Sequence, residues 1–253
     1  MAVVGTLWFT SAADADVIVL QPAADASLIE VAPDNNLGGH VFFNAGTTGS
    51  LNRNRGLLFF DLSTLVPAGS IITSAELSMS VVQEPDVNKK NSDFSLRRML
   101  VSWGEGAQVP EDGGSPGRGA PAASGESTWN HRFATGVPWS QPGGAEGVDY
   151  SDSLSAVTVV TSIGEPVLFA SAPGLVADVQ AWADHPEANF GWMLKTELED
   201  LRKTARGFAS RESGFGPTLT IEFTPVPEPG VLSFAGLFLL CLVSVVRCRK
   251  MLA

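Results

Sequence analysis

Cysteine is nearly missing from this chain of 253 residues: there are two, Cys241 and Cys248, and both lie close to the C-terminal end. The remainder must therefore hold together by burial, without disulfides. Histidine is almost as scarce. His40, His131 and His185 stand alone, with no HxH or HExxH spacing, so the sequence offers no recognisable zinc site and reads as having exposed loop histidines. Only one tyrosine is present, Tyr150, which thins the case for a lyase-type catalytic cluster. Positive charge is also in deficit, with 16 Lys+Arg against 27 Asp+Glu and a net charge of -11. A nucleic-acid partner is excluded on that balance, since phosphate neutralisation needs a basic face.

What the chain does have is alternation. Ala75, Leu77, Met79 and Val81 alternate with Ser74, Glu76, Ser78 and Ser80, and Leu219, Ile221 and Phe223 alternate with Thr218, Thr220 and Glu222. Each is the period-two signature of a half-buried strand. Shorter candidates at 17–20, 41–43, 56–60, 94–100, 157–161, 167–170, 190–195 and 207–210 bring the number to about ten, separated by Gly, Pro and Asn turns. Such a series predicts an all-β, two-sheet sandwich. One helix interrupts it: Leu175, Val179 and Trp182 fall at i, i+4 and i+7 between Pro173 and Pro186, predicting a short amphipathic cap. Between Trp103 and Tyr150 lies a long Gly- and Pro-rich stretch with little periodicity, the kind of loop that is usually functional or disordered. On the strand ending at Phe60, Leu58 and Phe60 share one face while Leu57 and Phe59 share the other. Both faces are apolar, so either the outer one lies under the long loop, which is the expectation, or Phe59 belongs to an apolar patch open to solvent.

The C-terminal segment sets the expected location. Val226, Pro227, Glu228 and Pro229 precede an apolar run over 231–246, followed by Arg247, Arg249 and Lys250. About sixteen residues of helix reach about 24 Å, enough to cross a bilayer with help from flanking residues. Basic residues stay on the cytoplasmic side, which puts everything before Pro225 outside the cell. This order resembles the PEP-CTERM sorting signal of Gram-negative bacteria, which implies an exosortase-type membrane protease as partner, transient inner-membrane anchoring, and delivery to the envelope or the extracellular space. A plain single-pass anchor gives the same topology without cleavage. At the other end, Ala2–Phe9 is apolar and Ala13-Asp14-Ala15 offers a small-x-small cleavage pattern. Residues 1–15 are expected to be a signal-peptide remnant, with the missing basic region lying upstream.

The segment in between, 16–224, resembles the DNRLRE domain of secreted bacterial proteins. The likeness rests on Arg55 to Ser63 (RGLLFFDLS), Pro67-Ala68-Gly69, Ile72 to Leu77 (ITSAEL) and Glu126 to Asn130 (ESTWN). Further on it includes Val179 to Trp182, Gly191 to Leu194 and Ser210-Arg211-Glu212 before Pro217-Thr218-Leu219. It implies a jelly-roll β-sandwich similar to carbohydrate-binding modules, some relatives being alginate binders. Phe59 departs from the pattern, for the family often has a basic residue there.

Catalytic signals are weak. Gly113-Gly114-Ser115-Pro116-Gly117 fits the G-x-S-x-G string, but Pro116 has no N–H to complete an oxyanion hole. No pair of carboxylates is singled out for glycoside hydrolysis. No cofactor is expected, although Asp34-Asn35-Asn36 before Leu37-Gly38-Gly39 could give oxygens to a structural calcium if it is not an ordinary turn. Aromatics in the long loop make the better site. Trp129, Trp139 and Tyr150, with Asn130 and Arg132 beside them, are the expected polysaccharide contacts if their rings are open; packing over the sandwich is the competing role, above all for Trp129. The sequence thus points to an exported, non-enzymatic, polysaccharide-holding protein. A structural or adhesive matrix protein, or a polysaccharide lyase or hydrolase, are the alternatives.

Overall fold

A computed structural model describes residues 14–110 and 116–226. The apolar run 231–246, Pro227, Glu228, Pro229, Arg247, Arg249 and Lys250 lie outside them, as do Cys241, Cys248, the stretch before Asp14 and the heart of the G-x-S-x-G string. Among the described residues no helix is long and apolar enough to cross a membrane.

In chain order the elements are β1 (Asp16–Leu20), β2 (Ala24–Ile29), β3 (Asn35–Asn36), β4 (Phe42–Thr47), β5 (Arg53–Phe59) and β6 (Ile71–Gln83). There follow β7 (Ser92–Arg98), β8 (Ala120–Pro121), β9 (His131–Phe133), β10 (Val137–Pro138), β11 (Ala156–Val160) and β12 (Pro166–Phe169). The helix α1 (Pro173–Asp184) precedes β13 (Trp192–Thr196), β14 (Arg206–Ala209) and β15 (Thr218–Thr224). The two strands with the clearest alternation, β6 and β15, pair antiparallel over nearly the whole of β15, from Thr218 opposite Ser78 to Thr224 opposite Ile71. β2 is the one long strand the pattern does not announce.

Eleven strands form one antiparallel sheet in the order β1-β15-β6-β14-β4-β5-β13-β7-β11, with β12 added beside β6 and β2 beside β5. The sheet curls, consistent with a β-sandwich. Its concave side gathers one core: Leu77 and Met79 of β6, Leu219 and Ile221 of β15, Leu58 of β5, Trp192 of β13 and Phe94 of β7 all meet there. Each large side chain withdrawn from water in this way contributes about 1.5–3 kcal/mol. The helix closes one end as its spacing predicts, burying Leu175, Val179 and Trp182, with the Trp182 ring 4.4 Å from that of Trp192. Pro173 opens it at a position where its missing N–H costs nothing. One carboxylate enters this core. Asp178 accepts from Trp192 Nε1 at 2.9 Å and from the Ser155 hydroxyl, and burial pushes its carboxyl above the usual range. At the far edge, Asp16 stands opposite Phe223, so the chain enters and leaves the sheet side by side.

Candidate functional site

The convex side of β2, β5 and β13 is apolar as well, because Ala26, Leu28, Leu57 and Met193 project there. The long loop covers it. Trp129, Trp139 and Tyr150 are only 3–4 % exposed and pack with those four residues and Met99 into a second core. This corrects the expected binding rim: rings that seal a sheet cannot offer a face to a sugar. Trp139 Nε1 donates inward to the Thr128 carbonyl at 2.8 Å, and burial raises the Tyr150 phenol above its ordinary value. Gly143 makes room for the cap, since a Cβ there would lie 2.7 Å from the Trp129 ring.

Polar side chains hold the loop in place where regular strands are absent. Asn36 donates from Nδ2 to the carbonyls of Glu105 and Ser127, at 2.7 and 2.9 Å, and accepts from the Gly38 amide at 2.7 Å. It sits in the short bridge between β3 and β8, so this side chain serves packing. The Glu126 carboxylate accepts from the amides of Ala107 and Ala123 and from Gln108 Nε2. Asp149 accepts from the Ser140 and Ala145 amides. Arg55 clamps the whole assembly, donating to the Gly143 and Gly144 carbonyls while its guanidinium lies over Trp129 and Tyr150. Of the expected polar contacts, Asn130 donates to Asp34 Oδ1 at 2.8 Å and Arg132 to the Ser102 carbonyl at 3.0 Å. Both remain half-exposed at the loop surface.

The histidines also differ from expectation. His185 is exposed, but His40 and His131 are half-buried, and His40 stands edge-on to Phe42 with its pKa lowered by burial. No three His, Cys, Asp or Glu residues group as metal ligands among the described residues.

An open aromatic surface exists elsewhere. Phe59, at the end of β5, lies beside Trp103 and Phe190 in a hollow of about 170 Å³ completed by Ala24, Ser102 and Asn189. All three rings are half-exposed. Trp103 is fixed by its Nε1 donating to the Phe190 carbonyl at 2.9 Å, and Asn189 by donating to the Phe60 carbonyl at 2.7 Å. Arg132 reaches one wall through Ser102, bonding both its carbonyl and its hydroxyl. Preset rings with polar groups at the edge suit the apolar C–H face of a sugar ring. The signal for this site was Phe59 on the outer face of its strand; its two partners come from segments 44 and 131 positions away. The ionisable group most shifted, Asp25, is not part of the hollow. Burial pushes it up to about 7, and its carboxyl accepts from the Arg211 amide at 2.8 Å. The chain matches no protein-family model and no curated protein.

Proposed function

We propose that this chain is an exported, non-catalytic protein of the cell envelope or extracellular matrix, whose jelly-roll sandwich of the DNRLRE kind holds polysaccharide. A PEP-CTERM tail, read by an exosortase-type protease, delivers it. The observation that carries the binding reading is the hollow of Phe59, Trp103 and Phe190, in which the Trp103 ring is fixed by its Nε1 bond to the Phe190 carbonyl. Affinity electrophoresis in gels cast with candidate polysaccharides, alginate among them, tests it. Trp103→Ala is expected to weaken retardation about tenfold, equivalent to 1.4 kcal/mol. Retardation by no polymer, or by the same amount in the variant, removes the reading. The mass of the product from producing cells tests the tail, a cut near Pro227 being expected.

The burial of Trp129, Trp139 and Tyr150 favours a second reading, a structural or adhesive matrix protein without a glycan site. A glycan array without hits and a self-associating mature domain are its expected signs.

A further inference from the structure

A second concavity lies on another part of the sheet, where β4, β5, β6 and β14 converge. It measures about 270 Å³, and its lining includes Asn44, Thr48, Asn54, Gln83, Arg206 and Gly207. The register explains the arrangement. Gly207 of β14 stands opposite Asn44 of β4 on one side and Gln83 of β6 on the other. Residues directly opposite one another point to the same face, so a strip without a side chain separates two amides. Asn54 joins from β5, where it stands opposite Gly46. A Cβ at Gly207 would come within 2.9 Å of Gln83 Cβ and 3.1 Å of the Phe42 ring, so the glycine keeps this floor low.

The amides are unsatisfied. Asn44 and Asn54 are 8 % and 4 % exposed, and Asn44 Nδ2 and Asn54 Oδ1 have no hydrogen-bond partner among the described residues. Buried polar atoms in folded proteins are nearly always paired, so a donor and an acceptor left over in the lining of one concavity call for partners from outside the chain, a water or a ligand hydroxyl. Charge does not supply them. Both Glu84 oxygens are occupied, one by Lys89 and the other by the Ile163 amide. Arg206 spends its guanidinium on the carbonyls of Thr161, Lys90, Thr204 and Ala205. What stays unpaired is neutral amide, one donor and one acceptor, of the kind that bonds hydroxyl groups.

We infer that this cleft is a ligand site for a neutral hydroxyl-rich unit, a monosaccharide or the end of a glycan chain, separate from the aromatic hollow. It lies at the Gln83 end of β6, whereas the chain leaves the sheet beside Ile71 at the other end. Twelve steps of strand put about 40 Å between them. The site shares the polysaccharide reading above in its choice of ligand but depends on none of the same residues.

The test is an NMR titration of the isotope-labelled full chain, in detergent, with glucose, galactose, mannose and N-acetylglucosamine added separately. At least one sugar is expected to shift the side-chain amide signals of Asn44, Asn54 and Gln83 saturably, and Asn54→Ala to weaken that response about tenfold. Gln83→Ala, at an exposed position that leaves the fold intact, is expected to weaken it too. Sugars that leave these signals unmoved, or a response unchanged in both variants, overturn the inference. Trp103→Ala separates the two sites: it is expected to weaken retardation by polymer about tenfold while leaving the cleft titration unchanged.

Discussion

Arg55 meets Glu199 as a two-pronged pair, Nε to Oε1 and Nη2 to Oε2, both at 2.8 Å, with the arginine side chain 7 % exposed. The same guanidinium donates to two loop carbonyls and covers Trp129 and Tyr150, so it ties β5 to the cap and to the segment after β13. Removing one partner strands a buried charge, which costs about 3–5 kcal/mol. Glu199→Ala is therefore expected to lower stability in urea by about 3 kcal/mol, with proteolysis starting within the loop. Glu199→Gln, which keeps an acceptor for the guanidinium, is expected to cost less than Glu199→Ala; equal losses would show that the pair is not the source.

Stability should depend on pH through Asp25. Its folded pKa is raised from 3.8 to about 7, chiefly by burial, so the folded state holds this proton more tightly than the unfolded chain. The stabilising contribution is complete below the unfolded value and is lost as pH rises through about 7. Asp25→Asn keeps an acceptor for the Arg211 amide and removes the titration. Its melting temperature is expected to equal that of the natural protein near the acid end of this window and to exceed it by several degrees at about pH 8. An offset that does not change with pH would dismiss the buried carboxyl as the cause.

The sheet was legible where alternation is strong, as in β6 and β15, and the apolar outer face of β5 announced the cap over Leu57, but Phe59, expected beneath it too, stands half-exposed in the hollow. β2 was not, because Asp25 and small alanines occupy positions where a strand pattern shows large apolar residues. Composition put Trp129, Trp139 and Tyr150 in a polar loop, but whether they are covered depends on which strands lie beneath, and pairing at long range decides that. The cleft was beyond reach for the same reason. Asn44, Asn54 and Gln83 are unremarkable in sequence and meet only through the register of four strands.

Trp139 separates a core role from a binding role. It is buried, bonded to the Thr128 carbonyl and packed in the second core, so Trp139→Ala leaves a cavity and is expected to cost about 3–5 kcal/mol in urea. Polymer retardation per folded molecule should stay unchanged, the reverse of Trp103→Ala. A variant that is stable but fails to bind would return this ring to the site.

Two glycines with the same backbone sign should respond differently to alanine. Gly147 has φ +74 with nothing near its missing Cβ, so Gly147→Ala should cost only the left-handed penalty of about 1 kcal/mol. Gly191 has φ +76 as well, but its Cβ would lie 1.9 Å from the Leu58 carbonyl oxygen and 2.9 Å from Phe59 Cα. That contact is backbone against backbone, between the approach to β13 and the strand beside it, and no rotamer relieves it. Gly191 also accepts from the Met99 amide at 2.8 Å, so a shift there pulls on the strand ending at Arg98. Gly191→Ala is expected to cost at least about 3 kcal/mol and to open the hollow, because Phe190 and Phe59 flank the clash. Urea denaturation of the two variants side by side decides it: equal losses would mean that the close approach of the two backbones does not hold the hollow's geometry.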